Sequence, residues 1–215
     1  MIKSAITVSL VAQAKGGPFV YWDGLESAAA SAAKLGFDAI EIFAPSAASI
    51  DRPALRALLK QHGLSAAAFG TGGGWLVHKW HLTHADPVIR AQAREFIRAI
   101  IDVAGEFKAP AIIGSMQGKA EGDVSREQAL AWLAEALTDL GAHAAQYGVP
   151  LLYEPLNRYE TNLLNRQLDA AQFLEARKVE REATLRPVPY EHRGGLERCH
   201  APRLRPPRRT RPLRR

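Results

Sequence analysis

The sequence is poor in several features that mark particular classes of protein. It holds one cysteine among 215 residues, Cys199, which excludes a framework of disulfides. It has no apolar run of about 18 residues, the length that a membrane-spanning helix needs. Its first residues lack the basic segment, apolar run and cleavage site of a secretory signal. We therefore expect a soluble cytoplasmic protein.

Acidic and basic residues are spread unevenly along the chain, whose net charge is +6. Residues 1–176 carry 15 Lys and Arg against 18 Asp and Glu, whereas residues 177–215 carry 13 against 4. The basic character thus belongs to an Arg/Pro-rich tail, which we predict to be irregular. Arginines can bind nucleic acid or acidic membranes, but this tail has no interleaved aromatic residues, and we expect neither partner.

Short apolar runs alternate with longer amphipathic stretches in residues 1–176, which is typical of parallel strands joined by helices. The predicted strands are 5–11, 39–43, 64–69, 111–115 and 149–154, and the predicted helices are 22–35, 51–62, 87–107, 126–147 and 165–175. Five β/α units of this kind fit an open doubly wound sheet or a (β/α)8 barrel. Length favours the open sheet, whereas the first loop lacks G-x-G-x-x-G spacing, which favours the barrel.

The segment after the fifth predicted strand is rich in polar groups suited to catalysis. Glu154 ends that strand, and Asn157, Arg158 and Glu160 follow within six residues. Because ligands bind at the carboxyl ends of strands in β/α folds, Glu154 is a candidate metal ligand or general base. It could instead cap the next helix or pair with Arg158. Glu41, at the end of the second strand, points to the same face or forms a salt bridge.

Histidines and tryptophans follow a glycine-rich segment at 70–74, which we expect to be a flexible loop over the site. His78, His81 and His84 are spaced by three, so on a helix they would lie near one face. A metal site is one interpretation, and a sugar-lining role for Trp75 or His78 is another. A polar loop with aromatic anchors is the plainer alternative.

Three segments resemble the xylose isomerase-like TIM-barrel family of sugar phosphate isomerases and epimerases, which includes ketose 3-epimerases and hydroxypyruvate isomerases. Residues 154–162, Glu-Pro-Leu-Asn-Arg-Tyr-Glu-Thr-Asn, are similar to its fifth-strand motif, and residues 36–42 and 112–118 are similar to its second and fourth strands. The resemblance covers about residues 1–176. It implies a (β/α)8 TIM barrel that is incomplete here, with about five β/α units.

The resemblance implies an enzyme of carbohydrate metabolism that moves a proton on a ketose, or a related hydroxy-carbonyl, through an enediolate. Its substrate would be a sugar or sugar phosphate, and its cofactor a divalent metal (Mn, Mg, Co or Zn). The family holds this ion with a Glu from strand five and an Asp, a His and a Glu from strands six to eight, and Glu154 matches the first of these as metal ligand and catalytic residue. The substrate-binding residues that it implies, together with those proposed above, are Glu160, Asn157, Arg158, Glu41, Trp75 and His78.

Strands six to eight have no recognisable counterpart after residue 176. Because the tail replaces the alanine-rich composition of the body with Arg and Pro, we hypothesise that the native frame ends near residues 175–177 and that the rest is frameshifted. We expect an impaired, truncated enzyme whose interior residues Ile112, Leu151 and Leu152 are wet. The alternative is a non-catalytic remnant or binding protein that needs a partner, or a homo-oligomer, to close the barrel.

A third interpretation is a DNA-repair endonuclease of the same superfamily. Such an enzyme would need several histidines at the ends of strands three and four. Phe69 and Ser115 occupy those positions, which argues against it.

Overall fold

A computed structural model of the chain describes residues 3–17, 19–177 and, for the backbone alone, 183–185. Its strands form one parallel sheet in which each strand pairs with the next along the chain. This order excludes a doubly wound sheet, whose strand order reverses, and is the order of a barrel wall. The strands are β1 (Ala5–Ser9), β2 (Ala39–Phe43), β3 (Ser65–Gly70), β4 (Ala111–Ile113), β5 (Leu151–Tyr153) and β6 (Ala183–Leu185).

The helices begin and end at residues suited to those positions. Asp51 caps the second helix by accepting a hydrogen bond from the Ala54 N–H at 2.9 Å, and Gly63 ends it with a φ of 65°. The helices are α1 (Gly24–Lys34), α2 (Arg52–His62), α3 (Gly73–His78), α4 (Pro87–Glu106), α5 (Arg126–Ala145) and α6 (Gln167–Ala176). In the described part of the chain, none of them is long and apolar enough to cross a membrane.

No strand was predicted beyond residue 176, and β6 corrects this expectation. Leu151, Leu152 and Tyr153 of β5 pair in parallel with Ala183, Thr184 and Leu185. The strand escaped prediction because its three residues lie among charged neighbours and form no apolar run. The predicted Arg/Pro-rich tail, apart from Arg177 and β6, lies outside the described residues.

The glycine-rich segment is also different from the prediction, because Gly73 and Gly74 are buried and begin α3. A Cβ on Gly74 would lie 2.6 Å from the Met116 sulfur, and one on Gly73 would collide with the Ala44 carbonyl oxygen. These glycines therefore let α3 pack closely against its neighbours, and they do not form a flexible loop.

The two faces of the sheet have different surroundings. Ile42, Ile113 and Tyr153 are fully buried in the hydrophobic core. Leu151 belongs to this core and is fully buried, contrary to the expectation of a wet residue. Ile112, on the opposite face, is 3% exposed, which also differs from the expectation of a solvent-exposed residue. Leu152 is partly buried.

The outer edge of β1 is partly covered. The Ser9 N–H donates a hydrogen bond to the Tyr21 carbonyl oxygen at 2.9 Å, and Val8 forms an isolated parallel bridge with Tyr21. The chain after the first loop therefore turns back along the carboxyl end of this strand.

Candidate functional site

A cleft of about 1510 Å³ opens at the carboxyl ends of the strands. Thr7 of β1, Glu41 of β2, Gly70 of β3, Ile112 of β4 and Glu154, just after β5, all line it. Because side chains alternate along a strand, these residues lie on the face opposite the fully buried Ile42, Ile113 and Tyr153. The cleft thus lies where β/α folds bind their ligands.

The position of Glu154 follows from the pairing of β4 with β5. Its N–H donates to the Ile113 carbonyl oxygen at 3.0 Å, and its own carbonyl oxygen accepts from Gln117 Nε2 at 3.1 Å. A Cβ on Gly114 would lie 3.6 Å from Glu154 Oε2, so the carboxylate rests over this glycine. The backbone N–H and the carbonyl oxygen of Glu154 are thus both hydrogen-bonded, and its side chain is directed into the cleft.

Glu41 of β2 lines the same cleft. It pairs in register with Thr7, whose hydroxyl donates to Glu41 Oε1 at 3.2 Å, and both side chains are partly buried. The sequence therefore placed Glu41 on the correct face of the sheet, and its contact with substrate stays a prediction.

Asn157 organises the turn that carries Glu160. Its side-chain amide donates to Glu160 Oε2, while its side-chain oxygen accepts from the Tyr159 N–H at 2.9 Å. Asn157, Tyr159 and Glu160 line the cleft. Arg158 is not among the lining residues, because its guanidinium turns to Tyr159 and donates to the phenol oxygen at 3.1 Å.

The loop after β5 is bound to the loop after β4. The Thr161 hydroxyl donates to the Gly118 carbonyl oxygen at 2.7 Å. Asn162 makes two hydrogen bonds of 2.8 Å with the backbone of Ala120, one to its N–H and one to its carbonyl. Arg126 of α5 donates to the carbonyl oxygens of residues 162 and 163. The two loops therefore form one hydrogen-bonded unit beside Glu154 and Glu160.

The three histidines do not share a helix face, because α3 ends at His78 and Lys79 adopts a left-handed φ of 61°. His78 is exposed, stacks on Trp80 with ring centroids 4.2 Å apart, and is not among the lining residues of the cleft. His81 lies on the wall in its place, with Trp75 edge-on at 5.5 Å. The sequence identified the segment and Trp75 but selected a different histidine.

His81 is a buried, neutral side chain. Burial is the main cause that lowers its pKa to about 4, and the nearby His84 lowers it further. Its Nδ1 lies 3.3 Å from the Thr83 hydroxyl oxygen, which donates its one proton to the carbonyl oxygens of residues 117 and 119. Because the ring is neutral, the 3.7 Å approach of Nε2 to Glu121 is not an ion pair at neutral pH.

Two stacked aromatic side chains that were not predicted from the sequence also line the cleft. Phe19 and Phe43 line the cleft and stack with ring centroids 4.8 Å apart. A Cβ on Gly70 or Gly72 would lie 2.6 or 2.8 Å from the Phe43 ring. Glycines directly after a strand are the sequence signal for such a close approach.

The described residues alone do not fit the cation that the resemblance implied. Among them, no group of three or more His, Cys, Asp and Glu side chains could hold a metal ion. Glu154 can supply one carboxylate ligand, but hard divalent cations are held by several oxygen ligands in fixed geometry.

Comparison with known proteins identifies the family. The model of the "Xylose isomerase-like TIM barrel" family matches residues 29–181, so the chain belongs to this family. The L-ribulose 3-epimerase of Methylomonas sp. (strain DH-1) is 34% identical over 170 residues, which cover 74% of this chain and 57% of that protein. The ketose 3-epimerase of Arthrobacter globiformis is 26% identical over 155 residues, covering 71% and 52%.

Among solved structures, the D-allulose 3-epimerase from Methylomonas sp. in complex with D-allulose superposes with a TM-score of 0.67 at 28% sequence identity. The match covers 85% of this chain and 61% of that one. The expected incomplete TIM-barrel fold, in a family of sugar isomerases and epimerases, is confirmed. The chain spans just over half the length of the curated relatives that it matches.

Proposed function

We propose that this chain is the strand one-to-six portion of a sugar epimerase or isomerase that moves a proton on a ketose or related hydroxy-carbonyl. The observation that carries the proposal is the position of Glu154, which faces the cleft at the carboxyl end of β5 in a chain similar to ketose 3-epimerases. The substrate would be a small sugar, free or phosphorylated, and the proposed location is the cytoplasm.

The proposed reaction requires a carboxylate beside the carbon that loses its proton. Removing a proton next to a carbonyl gives an enediolate, and returning it at the other face or carbon completes an epimerisation or isomerisation. Glu154 is the proposed proton-transfer group on one face of that carbon, and return of a proton at the other face needs a second acid, which the family resemblance places beyond strand five. Glu160, held by Asn157, is proposed to contact sugar hydroxyls, together with Glu41 and Trp75, which line the same cleft.

The charge on the developing enediolate must also be stabilised. Family resemblance assigns this task to Mn, Mg, Co or Zn. Glu154 is the ligand that this chain offers within its described residues, and the others would come from outside them. We therefore propose that turnover by this chain is impaired relative to its relatives.

A second candidate function is that of a non-catalytic remnant or binding protein that closes its barrel with a partner. The observation that favours it is coverage, since the chain matches 52–61% of the length of the relatives named above. An open barrel leaves two sheet edges available for pairing.

Turnover assays distinguish the two. The purified chain is mixed with Mn²⁺ and a ketose panel that includes D-allulose and L-ribulose, and product formation is followed. The enzyme proposal expects slow turnover that Glu154→Gln abolishes and that Glu175→Gln, an exposed control on α6, leaves unchanged. Absence of turnover of every sugar in the panel would favour the remnant.

A further inference from the structure

Beneath the cleft lies a polar side chain to which neither the sequence nor the family resemblance assigns a role. Gln117 is fully buried, at the end of the short 3-10 turn Ser115–Gln117 that follows β4. It is not among the residues that line the cleft, whereas its neighbours Ser115 and Gly118 are. A buried amide of this kind must find partners for both its oxygen and its nitrogen.

The hydrogen-bond partners of its side chain all lie at the carboxyl ends of β4 and β5, close to Glu154. Gln117 Nε2 donates to the carbonyl oxygens of Gly114 at 3.0 Å and Glu154 at 3.1 Å, and Gln117 Oε1 accepts from the Tyr153 hydroxyl. The two carbonyls can only accept, so the amide nitrogen faces them, and the amide oxygen is left to accept from the Tyr153 hydroxyl. The orientation of the amide is thereby fixed.

The amide takes over where the backbone pairing of β4 and β5 ends. The last backbone hydrogen bond between them runs from the Glu154 N–H to the Ile113 carbonyl oxygen. At Gly114 the chain leaves the strand with φ and ψ both near −106°, so the backbone of β4 makes no further hydrogen bond to β5. The Gln117 side chain supplies the next hydrogen bond, to the Glu154 carbonyl oxygen. The residue that follows Glu154 is Pro155, which has no N–H of its own.

The backbone of Gln117 is itself anchored by hydrogen bonds. Its N–H donates to the Gly114 carbonyl oxygen at 3.0 Å, and its carbonyl oxygen accepts from the Thr83 hydroxyl at 3.2 Å. Thr83 in turn contacts His81 on the cleft wall. A chain of hydrogen bonds thus joins the segment after α3 to the peptide of Glu154, and networks of this kind fix geometry when every member is satisfied.

We infer that Gln117 is a positioning residue for Glu154, which holds the Glu154 peptide so that its carboxylate faces the cleft. This rests on the proposed function, in which Glu154 is the group that meets the sugar. The inference goes further because it makes the direction of the carboxylate depend on a side chain from the turn after β4 that does not line the cleft.

The test uses Gln117→Met, which keeps the length and volume of the side chain and removes its hydrogen bonds. Tyr153→Phe is the matched control, since it removes the phenol donor but leaves both Nε2 bonds of Gln117. Hydrogen exchange of the Glu154 amide, followed by NMR, should be about tenfold faster in Gln117→Met than in wild type and nearly unchanged in Tyr153→Phe. Equal acceleration in both variants would overturn the inference.

Equilibrium binding of D-allulose gives the second readout. We expect Gln117→Met to weaken binding about tenfold, and to cause no further loss in a Glu154→Ala background. A general structural role predicts a loss that persists in that background, and such a result would contradict us. If wild type does not bind D-allulose, the proposed function loses its support, and the amide exchange alone decides on Gln117. Should Gln117→Met fail to fold, Gln117→Asn, shorter by one methylene, replaces it with the same expectations.

Discussion

The two sides of the cleft are held in place by different forces. On the side of β1 to β3, the Phe43 ring lies over Gly70 and Gly72 and stacks on Phe19. On the side of β4 and β5, buried or loop amides and hydroxyls bind one loop to the other, notably Gln117, Thr161 and Asn162. The first side is held by close packing of rings against glycines, and the second side is held by directed hydrogen bonds.

This difference matches what each side has to present. An apolar wall needs volume and closeness, and non-directional contacts between rings and glycines provide them. A reactive carboxylate needs a fixed direction, and hydrogen bonds with strict angles provide it. Mutations on the aromatic side should therefore affect mainly stability, and mutations on the hydrogen-bonded side should affect the geometry of the site.

The largest expected effect is on the aromatic side. Phe43 is 8% exposed, so Phe43→Ala removes a buried ring, and we expect a loss of about 3 kcal/mol in the free energy of unfolding, measured by urea denaturation. Phe43→Leu should cost much less. A loss below about 1 kcal/mol for the alanine variant would show that the wall is not packed as described.

The contact with Gly70 gives a sharper form of the same prediction. Gly70→Ala should destabilise the wild type, because its Cβ would lie 2.6 Å from the Phe43 ring. In the Phe43→Ala background it should be nearly neutral. Additive effects of the two substitutions would contradict the contact.

On the hydrogen-bonded side, His81 should make stability depend on pH. Its pKa of about 4 is below the ordinary 6.5, so as pH falls the unfolded chain binds the proton first. The neutral ring's contribution is full above about pH 6.5 and is lost as pH falls toward 4, by about 3 kcal/mol at most. Unfolding of wild type and His81→Gln across this range measures it, with the exposed His78→Gln as control. Parallel curves for wild type and His81→Gln would refute the assignment.

Asn162 tests the link between the loops. Asn162→Ala removes both hydrogen bonds to Ala120, and because this side chain is exposed we expect a loss of only about 1 kcal/mol in the free energy of unfolding. Gln172→Ala on the exposed face of α6 should stay within about 0.5 kcal/mol of wild type. Equal losses for the two variants would mean that the loops do not depend on Asn162.

The smallest effect is expected for Thr7, which donates to Glu41 between partly buried strands. Thr7→Val removes the hydroxyl at similar volume and should cost about 0.5 kcal/mol, while Thr7→Ser, which keeps it, reports the loss of the methyl group. Chemical denaturation of both variants separates the two contributions. A stabilised Thr7→Val protein would show that this hydrogen bond has no net value.

Much of the fold could be predicted because it follows local rules. The strand at 39–43 was predicted with its exact bounds, and the helix predicted from residue 51 does begin there with Asp51 as its cap, since apolar runs and capping residues act over a few positions. Glu154 was placed at a strand end by the same logic. What the sequence could not show depends on contacts between distant segments: the burial of His81, the stacking of Phe19 on Phe43, and the partners of Gln117.

The hydrogen bond from Ser9 to Tyr21 constrains how this barrel wall could be completed. A further strand approaching the free side of β1 would find the last amide of that strand already engaged. It would have to pair with the Ala5 end, or else displace the backbone around Tyr21. The backbone around Tyr21 therefore limits the length of β1 with which a new strand can pair.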